Sequence, residues 1–190
     1  MLFRSWVAGV VGWYVIRYPH QRRSRKTPIA SRRERVREGI LLATSFTGLF
    51  ILPLIYVTTG KPQVADYPFH PLLAWLGTAT FAMALIGFYR THRDLGRFWS
   101  VTLEIRQTHE LVTTGVYRHV RHPMYAAFFL WAIAQALLLP NWIAGPAGLV
   151  GSTTLFLFRV WREERLMLQE FGEQYSGYMQ RTARLVPWMF

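Results

Sequence analysis

Two short stretches of this 190-residue chain concentrate side chains capable of binding or catalysis. The first is His109-Glu110-Leu111-Val112-Thr113-Thr114-Gly115-Val116-Tyr117-Arg118-His119-Val120-Arg121-His122-Pro123-Met124-Tyr125, which leads into a long apolar run. Gly115 suits a turn that needs positive φ. Pro123 suits the first turn of a helix, where its missing N–H costs nothing. Each residue alone reads as part of a basic, aromatic membrane-interface belt; His, Tyr and Arg gathered at one helix mouth favour a binding site. The second stretch, Arg159-Val160-Trp161-Arg162-Glu163-Glu164-Arg165, lies where the last apolar run ends. Arg159 and Glu163 are four apart and share a helix face. Such a pair reads as an interfacial ion pair, but in a desolvated place it is costly unless fully paired or employed. Glu164 points to a different side and is expected to be solvated.

A metal centre is not expected. His119 and His122 sit three apart with His109 in the same loop, yet Glu110 is the one nearby carboxylate, and zinc sites pair histidines with further ligands at fixed spacing. The absence of cysteine excludes disulfides, thiolate metal sites and cysteine nucleophiles.

The elements that must position these stretches are membrane helices. The chain is 52% hydrophobic yet carries a formal net charge of +12, and the two properties are segregated. Gly39–Gly60, Tyr67–Tyr89 and Pro123–Phe158 hold no charged side chain over 22, 23 and 36 residues. Ionised groups are expelled from such runs when the solvent is hydrocarbon, and a span needs about 20 residues. The first run predicts a span over about Ile40 to Thr58, with a kink at Pro53, and the second a span from near Pro71. The third is long enough for two short spans, with Leu139-Pro140-Asn141-Trp142 and Gly145-Pro146 as the hairpin breaker. Leu2 to Ile16 is a possible fifth span, or else an amphipathic interfacial helix. A dense basic block follows it, which argues against a cleavable signal peptide. The predicted fold is all-α: one membrane domain over 1–190 with about five transmembrane helices. Residues 1–89 supply N-terminal helices and a basic loop, and 90–190 a catalytic core.

Charge sets the expected orientation. Residues 17–37 hold nine basic side chains, 90–122 six and the segment from Arg159 five, whereas 59–70 has Lys61 alone. By the positive-inside rule the basic segments face the cytoplasm, so both chemical stretches share that side. The arginines abut spans, where anionic lipid accounts for them; nucleic acid is not an expected partner.

The two stretches, in this order, resemble the isoprenylcysteine carboxyl methyltransferase family and its relatives among membrane phospholipid methyltransferases. The matching residues are Leu95-Gly96-Arg97-Phe98-Trp99-Ser100, Leu111 to Arg118 and Arg121-His122-Pro123-Met124-Tyr125. After the hairpin come Arg159, Glu163-Glu164, Phe171-Gly172-Glu173-Gln174-Tyr175, Tyr178 and Arg181 to Pro187. The match covers about residues 90–190. The resemblance implies an S-adenosylmethionine-dependent methyltransferase without a Rossmann domain, and no Gly-rich fingerprint of that domain is present. It implies a cytoplasmic cofactor pocket formed by His109, Leu111, Val112, Tyr117, His122, Pro123, Met124, Tyr125 and Glu163. It implies that Arg159 faces the methyl acceptor, with Arg159 and Glu163 as the catalytic pair. The expected acceptor is an isoprenylcysteine carboxylate. The alternatives are a phospholipid amine, an NADPH-dependent sterol-reductase-like activity, for which the chain is short, and a membrane scaffold without cofactor. The expected location is an integral position in a bacterial or archaeal inner membrane, with the lipid bilayer and a lipophilic acceptor (prenylcysteine or lipid) as partners.

Overall fold

A computed structural model describes residues 2–24, 32–96 and 111–187. His109, Glu110, Arg97 to Ser100 and the final three residues lie outside them. The described residues are helical, with no strand beyond the isolated bridges Asp66–Asn141 and Val120–Ala183. The helices are α1 (Leu2–Ser24), α2 (Arg32–Phe46), α3 (Leu52–Thr59), α4 (Pro71–Leu95), α5 (Pro123–Leu138), α6 (Ala147–Phe171) and α7 (Glu173–Arg181).

Two stretches, Val36–Thr59 and Pro71–Leu95, are long and apolar enough to cross a membrane; Pro123–Leu138 is a shorter apolar helix. The first agrees with the span expected over Ile40 to Thr58. It runs through α2, a π-helical segment Thr47–Ile51 and α3. A kink was expected at Pro53, but the irregularity lies just before it. Pro53 offers no N–H and crowds the carbonyl four residues back, and a π turn at that point relieves the conflict. Prolines open α4 and α5 as expected. α1 is longer than the Leu2 to Ile16 stretch, continuing to Ser24 with Pro19 inside it.

The core is aromatic. Trp131 is fully buried, with Trp13, Phe50 and Phe81 at ring-centroid distances of 5.5, 4.9 and 5.1 Å. Outward faces remain apolar: Ile40, Leu54, Leu72, Trp75, Ile86, Val150 and Leu157 are all exposed. So much exposed apolar surface is a liability in water and the required face in lipid, where helices satisfy their own backbone groups.

Asn141 explains why the hairpin turns where it does. It is buried; its Nδ2 donates to the Pro62 carbonyl and Asp66 Oδ1 at 2.8 Å each, and its Oδ1 accepts from the N–H groups of Ile143 and Ala144. One amide thus ties the α5–α6 turn to the 60–70 loop. At the opposite end, Gly115 has φ of 61°, and the adjoining Val116 N–H donates to Asp94 at 2.9 Å. This locks the segment before α5 onto the end of α4.

Candidate functional site

The start of α5 and the C-terminal half of α6 meet where both chemical stretches converge. His122 precedes α5, and its backbone is held by a short parallel pairing. Arg121 and His122 N–H donate to the carbonyls of Ala183 and Arg184 at 2.8 and 3.0 Å, and Ala183 N–H donates to His119. α7 buries Tyr175 and Tyr178, and Tyr178 Oη donates to the Tyr117 carbonyl at 2.6 Å. The C-terminal segment therefore sets the position of the His-Pro mouth.

The His122 imidazole lies between two consecutive carboxylates: Nδ1 is 3.5 Å from Glu163 Oε2 and Nε2 is 3.3 Å from Glu164 Oε1. Arg159 Nε lies 3.1 Å from Glu163 Oε1, the i,i+4 pairing expected of their spacing. Tyr125 is buried, edge-on to His122 at 5.8 Å and to Phe156 at 5.3 Å. Its hydroxyl adjoins Glu163 but makes no hydrogen bond of good geometry. His122, Tyr125, Arg159 and Glu163 form one cluster, and the Tyr117 phenol is within electrostatic reach of Glu163. Leu111 and Val112 are half-buried in the coil before Gly115, and Pro123 is buried. Met124 packs against the Trp131 core. His109 lies outside the described residues.

Glu164 corrects an expectation. It is not solvated: its side chain is 4% exposed and pairs with Arg121 Nε at 3.3 Å and Arg184 Nη2 at 2.8 Å. Arg184 Nε also donates to both of its oxygens, and the Arg184 guanidinium lies 4.1 Å over the Trp161 ring. Burial raises its pKa, but the hydrogen bonds and charges of His122 and Arg184 outweigh that and bring the carboxyl down to about 2. Burial pushes Tyr178 up to about 12 and holds Tyr117 and Tyr175 well above the usual phenol range. All three stay protonated donors at neutral pH. Arg121, besides Glu164, donates to the Met179 carbonyl at 2.9 Å and to the Thr182 carbonyl. Sequence reasoning also missed Glu38 of α2, whose Oε1 lies 3.3 Å from Arg159 Nη2. The Arg159-x-x-x-Glu163 spacing was a readable signal; nothing local marked Glu38.

Among the described residues no group of His, Asp or Glu side chains is arranged to hold a metal ion. The cluster's resources are instead a guanidinium between carboxylates, a carboxylate beside an aromatic hydroxyl, and protein shielding around both.

Known proteins carry the same core. Residues 75–169, half of the chain, match the isoprenylcysteine carboxyl methyltransferase (ICMT) family. Protein-S-isoprenylcysteine O-methyltransferase B of Arabidopsis thaliana is 32% identical over 134 residues, 66% of this chain and 68% of that protein. The Tribolium castaneum protein-S-isoprenylcysteine O-methyltransferase is 37% identical over 89 residues, 47% of this chain and 32% of that one. A solved structure of a eukaryotic intramembrane Ras methyltransferase, ICMT, superposes with a TM-score of 0.54 at 26% identity, covering 85% of this chain and 55% of that one. The chain thus spans between about a third and two thirds of the length of these relatives. These relatives are eukaryotic and lend no support to a bacterial or archaeal inner membrane; none is a reductase or a scaffold. With its helical membrane architecture and this match across α4, α5 and most of α6, the chain belongs to the isoprenylcysteine carboxyl methyltransferase family.

Proposed function

We propose that this protein transfers a methyl group from S-adenosylmethionine to the carboxylate of an isoprenylcysteine, at a site facing the cytoplasm. The observation that carries the reading is the convergence of Arg159, Glu163, His122 and Tyr125 at one end of two helices, in a chain of this family. The proposed arrangement has about five membrane-crossing helices, with α1, α5 and α6 completing the two long apolar spans. Its basic segments lie on the cytoplasmic side.

The residues fit a cationic nucleoside cofactor. Glu163 supplies negative charge; Tyr125 offers a buried hydroxyl without a good partner. Aromatic faces of this kind attract a sulfonium by roughly 0.5–2 kcal/mol. Held there by Glu163 and Tyr125, S-adenosylmethionine would supply a methyl group to a carboxylate oxygen, its carbon–sulfur bond breaking with the electron pair kept by sulfur. A carboxylate is already ionised at neutral pH, so the protein need not move a proton. An amine acceptor would need a base to free its lone pair. The chain's task is alignment and exclusion of water, and alignment can supply about 7–11 kcal/mol in ideal cases. Arg159 orients the acceptor carboxylate with its planar fork. Glu163 both steadies Arg159 and contacts the cofactor. Tyr117, His122, Pro123 and Tyr125 shape the cofactor's seat, together with Leu111, Val112, Met124 and His109. The prenyl chain reaches the site laterally through the bilayer.

The test is cofactor binding followed by transfer in detergent-solubilised protein. Glu163→Ala should lose measurable S-adenosylmethionine binding, and wild type should transfer labelled methyl to a farnesylcysteine analogue and not to phosphatidylethanolamine. Unchanged binding in that variant, or binding of NADPH in place of S-adenosylmethionine by the wild type, would remove the assignment.

A further inference from the structure

Glu38 lies outside both sequence stretches and outside the 75–169 segment that matches the family, yet it reaches the centre of the site. α2 runs antiparallel to α6 in a fixed register. Gly48 lies against the Ala147 carbonyl, and Gly151 lies against the backbone of Thr44 and Ser45. Two turns down α2 from Ser45 is Glu38; about two turns along α6 from Gly151 is Arg159. At 1.5 Å of rise per residue the two advance together, and they meet at 3.3 Å.

The contact is poor in a specific way. Glu38 Oε1 is buried and makes no hydrogen bond of good geometry, although it is the atom that faces Arg159 Nη2. A buried carboxylate oxygen in that state costs free energy, and an ion pair lacking good hydrogen bonds recovers little of its desolvation. Glu163 approaches Arg159 from within the same helix, its Oε1 3.1 Å from Nε. Arg159 is thus flanked by one carboxylate of its own helix and one delivered across an interhelical gap, at 3.1 and 3.3 Å.

We propose that Glu38 sets acceptor specificity: its carboxylate occupies the place on the Arg159 guanidinium that an acceptor carboxylate takes, and the acceptor binds by exchanging with it. Glu38 keeps the guanidinium paired at the membrane boundary when no acceptor is present. It also makes every weaker anion compete with a tethered one, a repulsive element of the kind that specificity requires. The inference rests on the reading of Arg159 as the acceptor-orienting residue.

The experiment compares Glu38→Gln and Arg159→Gln with wild type, using N-acetyl-S-farnesylcysteine as acceptor and its neutral carboxamide as competitive inhibitor. Removing the tethered charge should lower the acceptor KM about three- to tenfold, while the carboxamide's Ki changes by less than about twofold and S-adenosylmethionine still binds. Arg159→Gln should lower kcat/KM for the acceptor by at least about a hundredfold. If it does so while Glu38→Gln leaves the acceptor KM unchanged or raises it, exchange is wrong and the role of Arg159 stands. If Arg159→Gln turns over normally, the reading beneath the inference fails as well. Should Glu38→Gln not fold, judged by lost cofactor binding, Glu38→Asp withdraws the carboxylate by one methylene and must lower the acceptor KM in the same sense; an unchanged KM there also overturns the proposal.

Discussion

At the scale of single residues, consecutive glutamates in one helix have unlike surroundings. Glu163 is 18% exposed at its side chain and faces Arg159, His122 and Tyr125, whereas Glu164 is 4% exposed and bound by Arg121, Arg184 and His122. Glu164 touches the two ends of the His119–His122 pairing through Arg121 and Arg184, so it is placed to position the mouth rather than to meet a ligand. Its pKa falls from 4.5 to about 2 on folding. A carboxyl depressed in the folded state stabilises fully above its unfolded pKa and loses that contribution as pH falls through the folded value. The window is therefore about pH 4.5 down to 2, and the stake is on the order of 3 kcal/mol. Glu164→Gln should flatten the acid limb of detergent-phase unfolding across that window. It should also lower stability at pH 7, because Arg121 and Arg184 lose their counter-charge; removing one partner of a buried pair costs about 3–5 kcal/mol. An acid limb identical to wild type would refute the assignment. The Glu-Glu dipeptide was legible in the sequence, but its burial was not. Helical periodicity separates the two side chains by about 100° and says nothing of what stands on the second side; that answer came from Arg184, twenty residues on, folded back by α7.

Among the elements, most of what could be read from the chain was boundaries. Pro71 and Pro123 open helices because a ring that fixes φ and lacks an N–H is tolerated in a first turn. The Leu139-to-Pro146 breaker became a turn, although Asn141 proved to be its organiser. What escaped was register between distant helices, and the glycines of α2 and α6 show why. Gly39, Gly48 and Gly151 are alike in sequence, but a side chain on Gly39 would meet nothing within 4 Å, whereas one on Gly151 would meet the Thr44 carbonyl at 2.9 Å and Ser45 Cα at 3.0 Å. The obstruction is backbone, so the helices must separate. Gly151→Ala is expected to destabilise by about 1–3 kcal/mol. Gly39→Ala, on an open helix face, should be neutral or stabilise by up to about 1 kcal/mol through helix propensity. Thermal unfolding of the two variants side by side decides the matter, and equal midpoints would show that the close approach of α2 to α6 does not hold in the protein. The same approach carries Glu38 to Arg159, which is why no local pattern could have announced that contact.

For the whole molecule, the question is which side of the bilayer the site faces. The charge asymmetry is large: nine basic side chains over 17–37 against Lys61 alone over 59–70. The 60–70 loop and the α5–α6 turn are bound together by Asn141, so they share a side. The His122–Glu163 cluster lies at the other ends of α5 and α6, a helix length away. A 16-residue α5 rises about 24 Å and makes a short span, while α6 continues past its apolar part into the charged stretch that bears Arg159 and Glu163. In the proposed arrangement the site lies near the boundary between lipid and water, where a lipophilic acceptor and a water-borne cofactor can both reach it. Because the chain has no cysteine, single cysteines report topology without background. Val64→Cys, at a residue 93% exposed in the 60–70 loop, should be labelled by an impermeant maleimide on intact cells. Glu173→Cys, exposed at the start of α7, should be labelled only after the membrane is opened. Labelling of both from the same side would contradict the proposed arrangement, because the His122–Glu163 cluster and the hairpin turn cannot then lie across the bilayer from one another.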